Sequence, residues 1–295
     1  MMISVFTPTY NRSELLNDLY ESLKKQTSKN FEWLIIDDGS TDNTEQVVND
    51  FIIENILNIN YIKKANGGKH RTINLASDYA LGDYIFIVDN DDTLIPEAIA
   101  IGEKYLEKIN ENIAGVVFRL MYKDGRKVGP DLPYTEKNDN YFNVRYNLGY
   151  NMDFKEFTKV SILKKYKYPD YKGENFCSEA LVWNRISENY DFLFVDKPIY
   201  ICEYLEGGLS SNIILNRRNS SSYAMDIYKD LVFNKKVPKI IKIKSIINYW
   251  RFGFFNKKSF LKKWKFLNFS TLGILFYPIS LLFILKDSIK LKAKK

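Results

Sequence analysis

Apolar and polar positions come in alternating blocks through the first hundred residues. Ile3 to Thr7 is a short apolar run closed by Pro8, and Leu15, Leu16, Leu19 and Leu23 then recur at helical spacing within Ser13 to Leu23. Phe31 to Ile36 is a second apolar run, stopped by Asp37-Asp38-Gly39-Ser40, and a helical pattern follows from Asp42 to Glu54. Ile59 to Ile62 reads as a third strand. Asn66-Gly67-Gly68 breaks the chain before a helix through Ala80, and Asp83 to Val88 reads as a fourth strand stopped by acids. Strands apolar on both faces, alternating with helices, predict an α/β fold with a mostly parallel sheet covered by helices. Ligands of such sheets bind beyond the carboxyl ends of the strands. The polar breaks fall at those ends, so they are expected to converge on one crevice.

The pattern changes after Pro96. A helix to about Ile109 precedes a strand from Ala114 to Tyr122, and Asp124-Gly125 is a hairpin signal. Gly129 to Tyr150 is aromatic and irregular, as a binding surface would be. Ser178 to Tyr190 carries Val182, Trp183, Ile186 and Tyr190 on one helical stripe, Phe192 to Tyr204 is strand-like, and the chain reads as helical from Arg217.

Charge sharpens this division. The net charge is +7 over 295 residues, yet from Lys235 onward sixteen Lys and Arg face one acid, Asp287, which leaves an acidic body of about minus eight. A mildly acidic body with a basic, aromatic tail suits a membrane surface and argues against nucleic acid. Phe269 to Leu285 is nearly free of charge and close to the ~20 apolar residues a spanning helix needs. It also carries Ser270, Thr271, Gly273, Pro278 and Ser280, so the tail is expected to lie at the interface, with a spanning segment and a soluble or oligomer-packing helix as the alternatives. Two cysteines and no CxxC pair imply no disulfide framework and a reducing compartment. The N-terminus lacks the basic start and long apolar run of a signal peptide.

Four polar clusters carry candidate chemistry. Asp89-Asn90-Asp91-Asp92 crowds three carboxylates at a strand end, tolerable with a divalent cation such as Mg2+ or Mn2+; the alternative is a solvated turn with Asp92 as a helix cap. Asp37-Asp38-Gly39-Ser40-Thr41-Asp42 can accept hydrogen bonds from a base or a ribose, or simply form a turn. Asn66-Gly67-Gly68-Lys69-His70-Arg71 offers glycine amides and cations to an anion such as a diphosphate. It holds the chain's one histidine, His70, with structure and function equally open for it. Glu179 opens a helix, where the macrodipole favours an acid, and is also a candidate general base.

Together these residues resemble the family 2 glycosyltransferases, inverting enzymes with the GT-A fold. The resemblance runs from about Ile3 to Asn212. It rests on Thr7-Pro8-Thr9-Tyr10-Asn11-Arg12, the Asp37 and Asn66 clusters with Asn74, Asp89-Asn90-Asp91-Asp92, Glu179-Ala180-Leu181-Val182-Trp183-Asn184-Arg185 and Glu206-Gly207-Gly208-Leu209-Ser210. It implies a GT-A domain over 1–215, with a nucleotide-binding half (1–110) and an acceptor half (111–215), and a helical, membrane-associating tail over 216–295. Pro8, Thr9 and Tyr10 would line the nucleobase pocket, with Asp37 or Asp38 reading a uracil, and Arg12 would also bind the nucleotide. Gly68, Lys69, Arg71, Asp89 and Asn90 would meet the rest of the nucleotide. Asp91, and with it Asp89, would bind Mn2+ or Mg2+. Glu179 matches the first residue of the family's Glu-Asp pair, and because the second is Ala180 here, Glu179 would be the base.

The expected activity is metal-dependent transfer of a sugar from a nucleotide sugar, a UDP-sugar by family expectation, to a glycan or lipid-linked acceptor. The expected place is the cytoplasmic side of the cell membrane of a bacterium building surface polysaccharide. Two alternatives are a sugar nucleotidylyltransferase and a non-catalytic nucleotide-sugar-binding membrane adaptor.

Overall fold

The computed structural model describes residues 1–203 and 212–293. The expected alternation forms. Strands β1 (Ile3–Thr9), β2 (Phe31–Asp37), β3 (Ile59–Lys63) and β4 (Tyr84–Ile87) lie parallel in the order β3-β2-β1-β4. They are joined by helices α1 (Leu16–Lys24), α2 (Thr44–Glu54) and α3 (Lys69–Tyr79). β1 continues through Pro8, opposite Ile36 of β2. At that level β4 no longer pairs with β1, so proline's missing N–H falls on an unpaired edge.

The second half is mixed rather than parallel. After the two-residue strand β5 (Thr93–Leu94) and helix α4 (Ala98–Leu106) come β6 (Ile113–Tyr122), β7 (Glu136–Asp139), β8 (Lys155–Lys159) and β9 (Asp191–Cys202). β8 inserts between β4 and β6, antiparallel to both, while β6 and β9 run parallel. β8 reads Lys-Glu-Phe-Thr-Lys and gives no apolar signal, yet its first four residues are buried at the centre of the sheet. The Asp124-Gly125 hairpin is present, with Gly125 at φ +85°.

Successive residues of the inner strands enter opposite layers. Ile3, Val5, Trp33 and Ile35 pack with α1, α2 and α4, whereas Phe6, Leu34 and Ile36 pack on the α3 side. That second layer also holds α5 (Val160–Lys165) and α6 (Ala180–Ile186).

The C-terminal region comprises α7 (Ile213–Asn219), α8 (Ser221–Phe233), α9 (Lys239–Gly253), α10 (Phe260–Phe266), α11 (Thr271–Leu275) and α12 (Tyr277–Ala293). Tyr223, Ile227, Tyr249 and Trp250 belong to the same buried cluster as Trp183 and Ile186, so the core continues across the boundary expected at residue 215. α12 is fixed on α9 along one stripe. Ser280, Ile284 and Asp287 are buried, and Asp287 accepts two 2.6 Å hydrogen bonds from Arg251. Leu282, Leu285 and Ile289 form the opposite stripe, each more than 60% exposed. By length and composition Thr271–Leu291 could cross a membrane, with a mean hydropathy of 1.7.

Candidate active site

The strand ends of the first half and the α6 end of the second enclose a cleft of about 610 Å3. Pro8, Thr9, Tyr10 and Arg12 reach it from the end of β1, Asp38 from β2, Gly68 and Lys69 from α3, and Asp89 to Asp92 from the loop after β4. Glu179 reaches it from the start of α6. The clusters separated along the sequence thus meet in one place.

Lys69 ties them together. Its Nζ bonds Asp89 Oδ1 and lies 2.8 Å from Glu179 Oε1, joining the two halves. Asp89 Oδ2 takes a second cation, Lys155, at 2.7 Å. Burial opposes the charge on both lysines, but the surrounding carboxylates, Asp89 foremost, outweigh it and hold both ammonium groups above their ordinary pKa. Burial likewise opposes the charge on Asp89, and Lys155 and Lys69 overcome it, so this carboxyl stays well below the usual range. Arg12 pairs with Asp91 Oδ2 at 2.7 Å.

Asp92 behaves differently from its neighbours. It precedes β5 and caps no helix, accepting instead from Tyr200 Oη at 2.6 Å and from the Glu203 amide at 3.2 Å. Burial pushes its pKa up to about 6.

Several expected ligand contacts are occupied by the protein itself. Asp37 is fully buried and lies off the cleft, accepting from the Ser40 amide at 2.7 Å and from Tyr61 Oη at 2.7 Å. It closes the turn, so of the two acids expected at the base only Asp38 faces the cleft. Asp38 accepts from the Gly67 and Gly68 amides at 2.9 and 2.6 Å and also pairs with Lys64. These amides therefore serve a resident carboxylate. Gly68 is required for a steric reason. At φ +96° it passes so close to the Asn175 carbonyl that a Cβ would sit 2.0 Å from that oxygen.

Arg71 is likewise engaged by the protein itself. It bonds Asp170 at 2.6 and 2.9 Å, and the carbonyls of Glu174 and Tyr171 at 3.0 Å. It fastens the loop before α6 to α3 and does not line the cleft. His70 is 1% exposed, with Nε2 2.8 Å from Tyr223 Oη. Burial lowers its pKa to about 4, so it is a neutral packing residue between α3 and α8.

Other cleft residues had no motif to reveal them. Lys155 and Glu156 come from the unrecognised strand β8, and Arg145 comes from a π-helical turn, Asn143–Asn147. Glu156 is 5% exposed, accepts from Tyr141 Oη, and is pushed up to about 8 by burial. The motif Glu206 to Ser210 lies outside the described residues, as does the expected strand end at Tyr204.

Among the described residues no cluster of three or more acids, His or Cys is arranged for a metal. Asp89 fits a direct ligand poorly, because lysines hold both of its oxygens. Asp91 fits better. Arg12 holds only Oδ2, and Mg2+ and Mn2+ are commonly bound by one or two carboxylates plus substrate phosphates.

The sequence pattern described as Glycosyl transferase family 2 matches residues 4–167, which span β1 to β8 and hence most of this cleft. The chain belongs to that family. It is 27% identical over 280 residues to the glycosyltransferase GlyG of Streptococcus pneumoniae, covering 86% of each chain. It is 34% identical over 129 residues to the GalNAc(5)-diNAcBac-PP-undecaprenol beta-1,3-glucosyltransferase of Campylobacter jejuni, covering 42% of this chain and 40% of that one. It spans only about a fifth of the length of two Rickettsia glycosyltransferases that it matches.

Among solved structures, S. aureus TarS in complex with UDP-GlcNAc superposes with a TM-score of 0.67 at 20% identity, over 91% of this chain and 79% of that one. A Pyrobaculum calidifontis mannosyltransferase with GDP-Man and Mn2+ gives 0.57 at 14% identity, over 98% and 86%. These likenesses share the fold, a GT-A type α/β sheet with flanking helices.

Proposed function

We propose that the protein is an inverting transferase that moves a sugar from a nucleotide sugar, a UDP-sugar by preference, to a glycan or lipid-linked acceptor at the cytoplasmic face of a bacterial membrane. The observation that carries this reading is the Lys69 bridge, which brings Glu179 of one half and Asp89 of the other into a single cleft. Pro8, Thr9, Tyr10 and Asp38 form the nucleobase end. Glu179 accepts the proton of the acceptor hydroxyl as its oxygen bonds to the anomeric carbon, and the bond from that carbon to the diphosphate breaks with its electron pair leaving on the nucleotide. No other acid stands beside Glu179 on α6, since the next residue is Ala180. Lys69 and Lys155 lie where the departing negative charge gathers and offset it without reorganising.

A divalent ion, Mn2+ or Mg2+, would be held by Asp91, with Asp89 acting through its lysines. When bound it supplies further positive charge against the diphosphate. Support for a metal comes from the Mn2+ complex of the Pyrobaculum mannosyltransferase. Support for a lipid-linked acceptor comes from the undecaprenol-linked substrate named for the Campylobacter relative.

Membrane contact is assigned to the exposed stripe Leu282, Leu285 and Ile289, with Leu272 and Leu275 beside it and the exposed Lys286 and Lys290 for anionic headgroups. The helix lies along the surface instead of crossing it, because its other stripe is bound to α9 through the pairing of the buried Asp287 with Arg251.

The test is release of nucleoside diphosphate from a panel of nucleotide sugars, with Mn2+ and with EDTA, by wild type and Glu179→Gln. Expected is metal-dependent release from one donor, reduced about 10²- to 10⁴-fold in the variant. Full activity in Glu179→Gln would remove the base assignment. Pyrophosphate release from a nucleoside triphosphate would point to nucleotidyl transfer, and donor binding without turnover under any condition to an adaptor.

A further inference from the structure

We propose that Arg145 forms an anion subsite on the acceptor side of the cleft and takes a phosphate oxyanion carried by the acceptor. The proposal rests on the transferase reading above. The cleft holds four cationic side chains of note. Three of them, Arg12, Lys69 and Lys155, each lie within 2.8 Å of an aspartate of the Asp89–Asp91 turn. Arg145 differs. Among the described residues its guanidinium has no hydrogen bond and no ion pair; it lies over the rings of Tyr141 and Phe154, 5.3 and 5.9 Å from their centroids.

The platform beneath it is rigid. Tyr141 is fully buried and packs edge-on against Phe154, Phe192 and Phe194 at 6.3, 5.2 and 5.2 Å. Glu156, a carboxyl on this wall, does not supply the missing charge, because it already accepts from Tyr141 and burial keeps it largely protonated at neutral pH. A half-buried guanidinium seated on aromatic rings keeps its fork of donors fixed and unused, the form suited to a phosphate taken in bidentate fashion. The π-helical turn that carries Arg145 adds to this, since such turns recur at functional sites.

Position separates this anion from the donor diphosphate. Apart from Lys155 at the start of β8, the donor-side charges sit on β1, α3 and the β4 loop; Arg145 belongs to the β7–β8 connection and, unlike Lys155, pairs with no aspartate of the Asp89–Asp91 turn. A neutral sugar hydroxyl would gain little from an unpaired arginine. An acceptor bearing a phosphodiester or a diphosphate would neutralise it.

Phosphate from either source, donor or acceptor, could meet a guanidinium, so the test has two arms. The first is equilibrium binding of decyl diphosphate, and of decanol as the uncharged control, to the full chain with UDP saturating. The second is binding of UDP alone. Wild type is expected to prefer decyl diphosphate over decanol by about tenfold or more, Arg145→Gln to lose that preference, and Arg145→Lys to keep part of it as a point charge without the fork. UDP affinity is expected to change less than about twofold in Arg145→Gln, since a fully lost charge-assisted bond would cost about tenfold or more. No phosphate preference in wild type overturns the proposal. So does an Arg145→Gln protein that loses UDP affinity and keeps its preference for decyl diphosphate, because the anion is then the donor's. A wild type that binds no UDP or UDP-sugar overturns the transferase reading instead.

Discussion

The cleft and the C-terminal helices use positive charge in opposite ways. In the cleft the half-buried Lys69 and the buried Lys155 surround one aspartate, and Arg12 is matched to another. In the tail the lysines greatly outnumber the acids, and the one acid, Asp287, is buried against Arg251. Cleft cations hold carboxylates in place; tail cations border an exposed apolar stripe. Net charge alone merges these two populations. Their separation shows that the excess of +7 belongs to a surface, while the chemistry lies in a nearly balanced cluster.

The sharpest way to break this comparison is at Lys155. Lys155→Met leaves one Asp89 oxygen and the neighbouring Asp92 without their buried cation. It should destabilise the fold by roughly 2–3 kcal/mol, less than a fully buried pair because Asp89 opens on the cleft and keeps Lys69. Chemical denaturation measures this, and a Lys155→Met/Asp89→Asn double variant should recover part of the loss. Equal losses that simply add would mean the two side chains are not coupled.

The tail is tested by charge on its exposed face. Leu282→Glu with Leu285→Glu should weaken binding to anionic vesicles by about tenfold or more while shifting stability by no more than about 0.5 kcal/mol. Flotation and thermal melting read the two effects separately. Unchanged vesicle binding would move the contact elsewhere.

The smallest effect lies where the two regions join, at His70 and Tyr223. The folded pKa of His70 is depressed to about 4 from an ordinary 6.5. The unfolded chain therefore binds this proton first, and the stabilisation present above pH 6.5 is lost as pH falls toward 4. Relative to His70→Gln, wild type should lose stability across that window and run parallel to the variant above it. Parallel profiles throughout would mean that the imidazole titrates freely.

The parallel half was legible because its strands are apolar on both faces and end in polar turns, a pattern with few other solutions. Lys69 and Asp89 stood out for the same reason, as each sits at such a break, whereas Pro8, Thr9 and Glu179 were named through the family resemblance. Asp37 and Arg71 were equally visible, but their partners, Tyr61 and Asp170, are brought to them only by the folded chain. β8 was not legible at all. Lys155 and Glu156 belong to no motif, and only insertion between β4 and β6 turns them into buried walls of the cleft.

The amino-acid sequence by itself determined the order of strands and helices, the strand ends that carry the acids, and the basic tail. These are local properties, set by periodicity and by where apolar runs stop. Tertiary structure alone decided which carboxylates remain open to a ligand, which cation lacks a partner, and which stripe of α12 faces out. Those outcomes depend on neighbours distant in sequence, because the energy of a buried charge is set by what surrounds it and not by what precedes it in the chain.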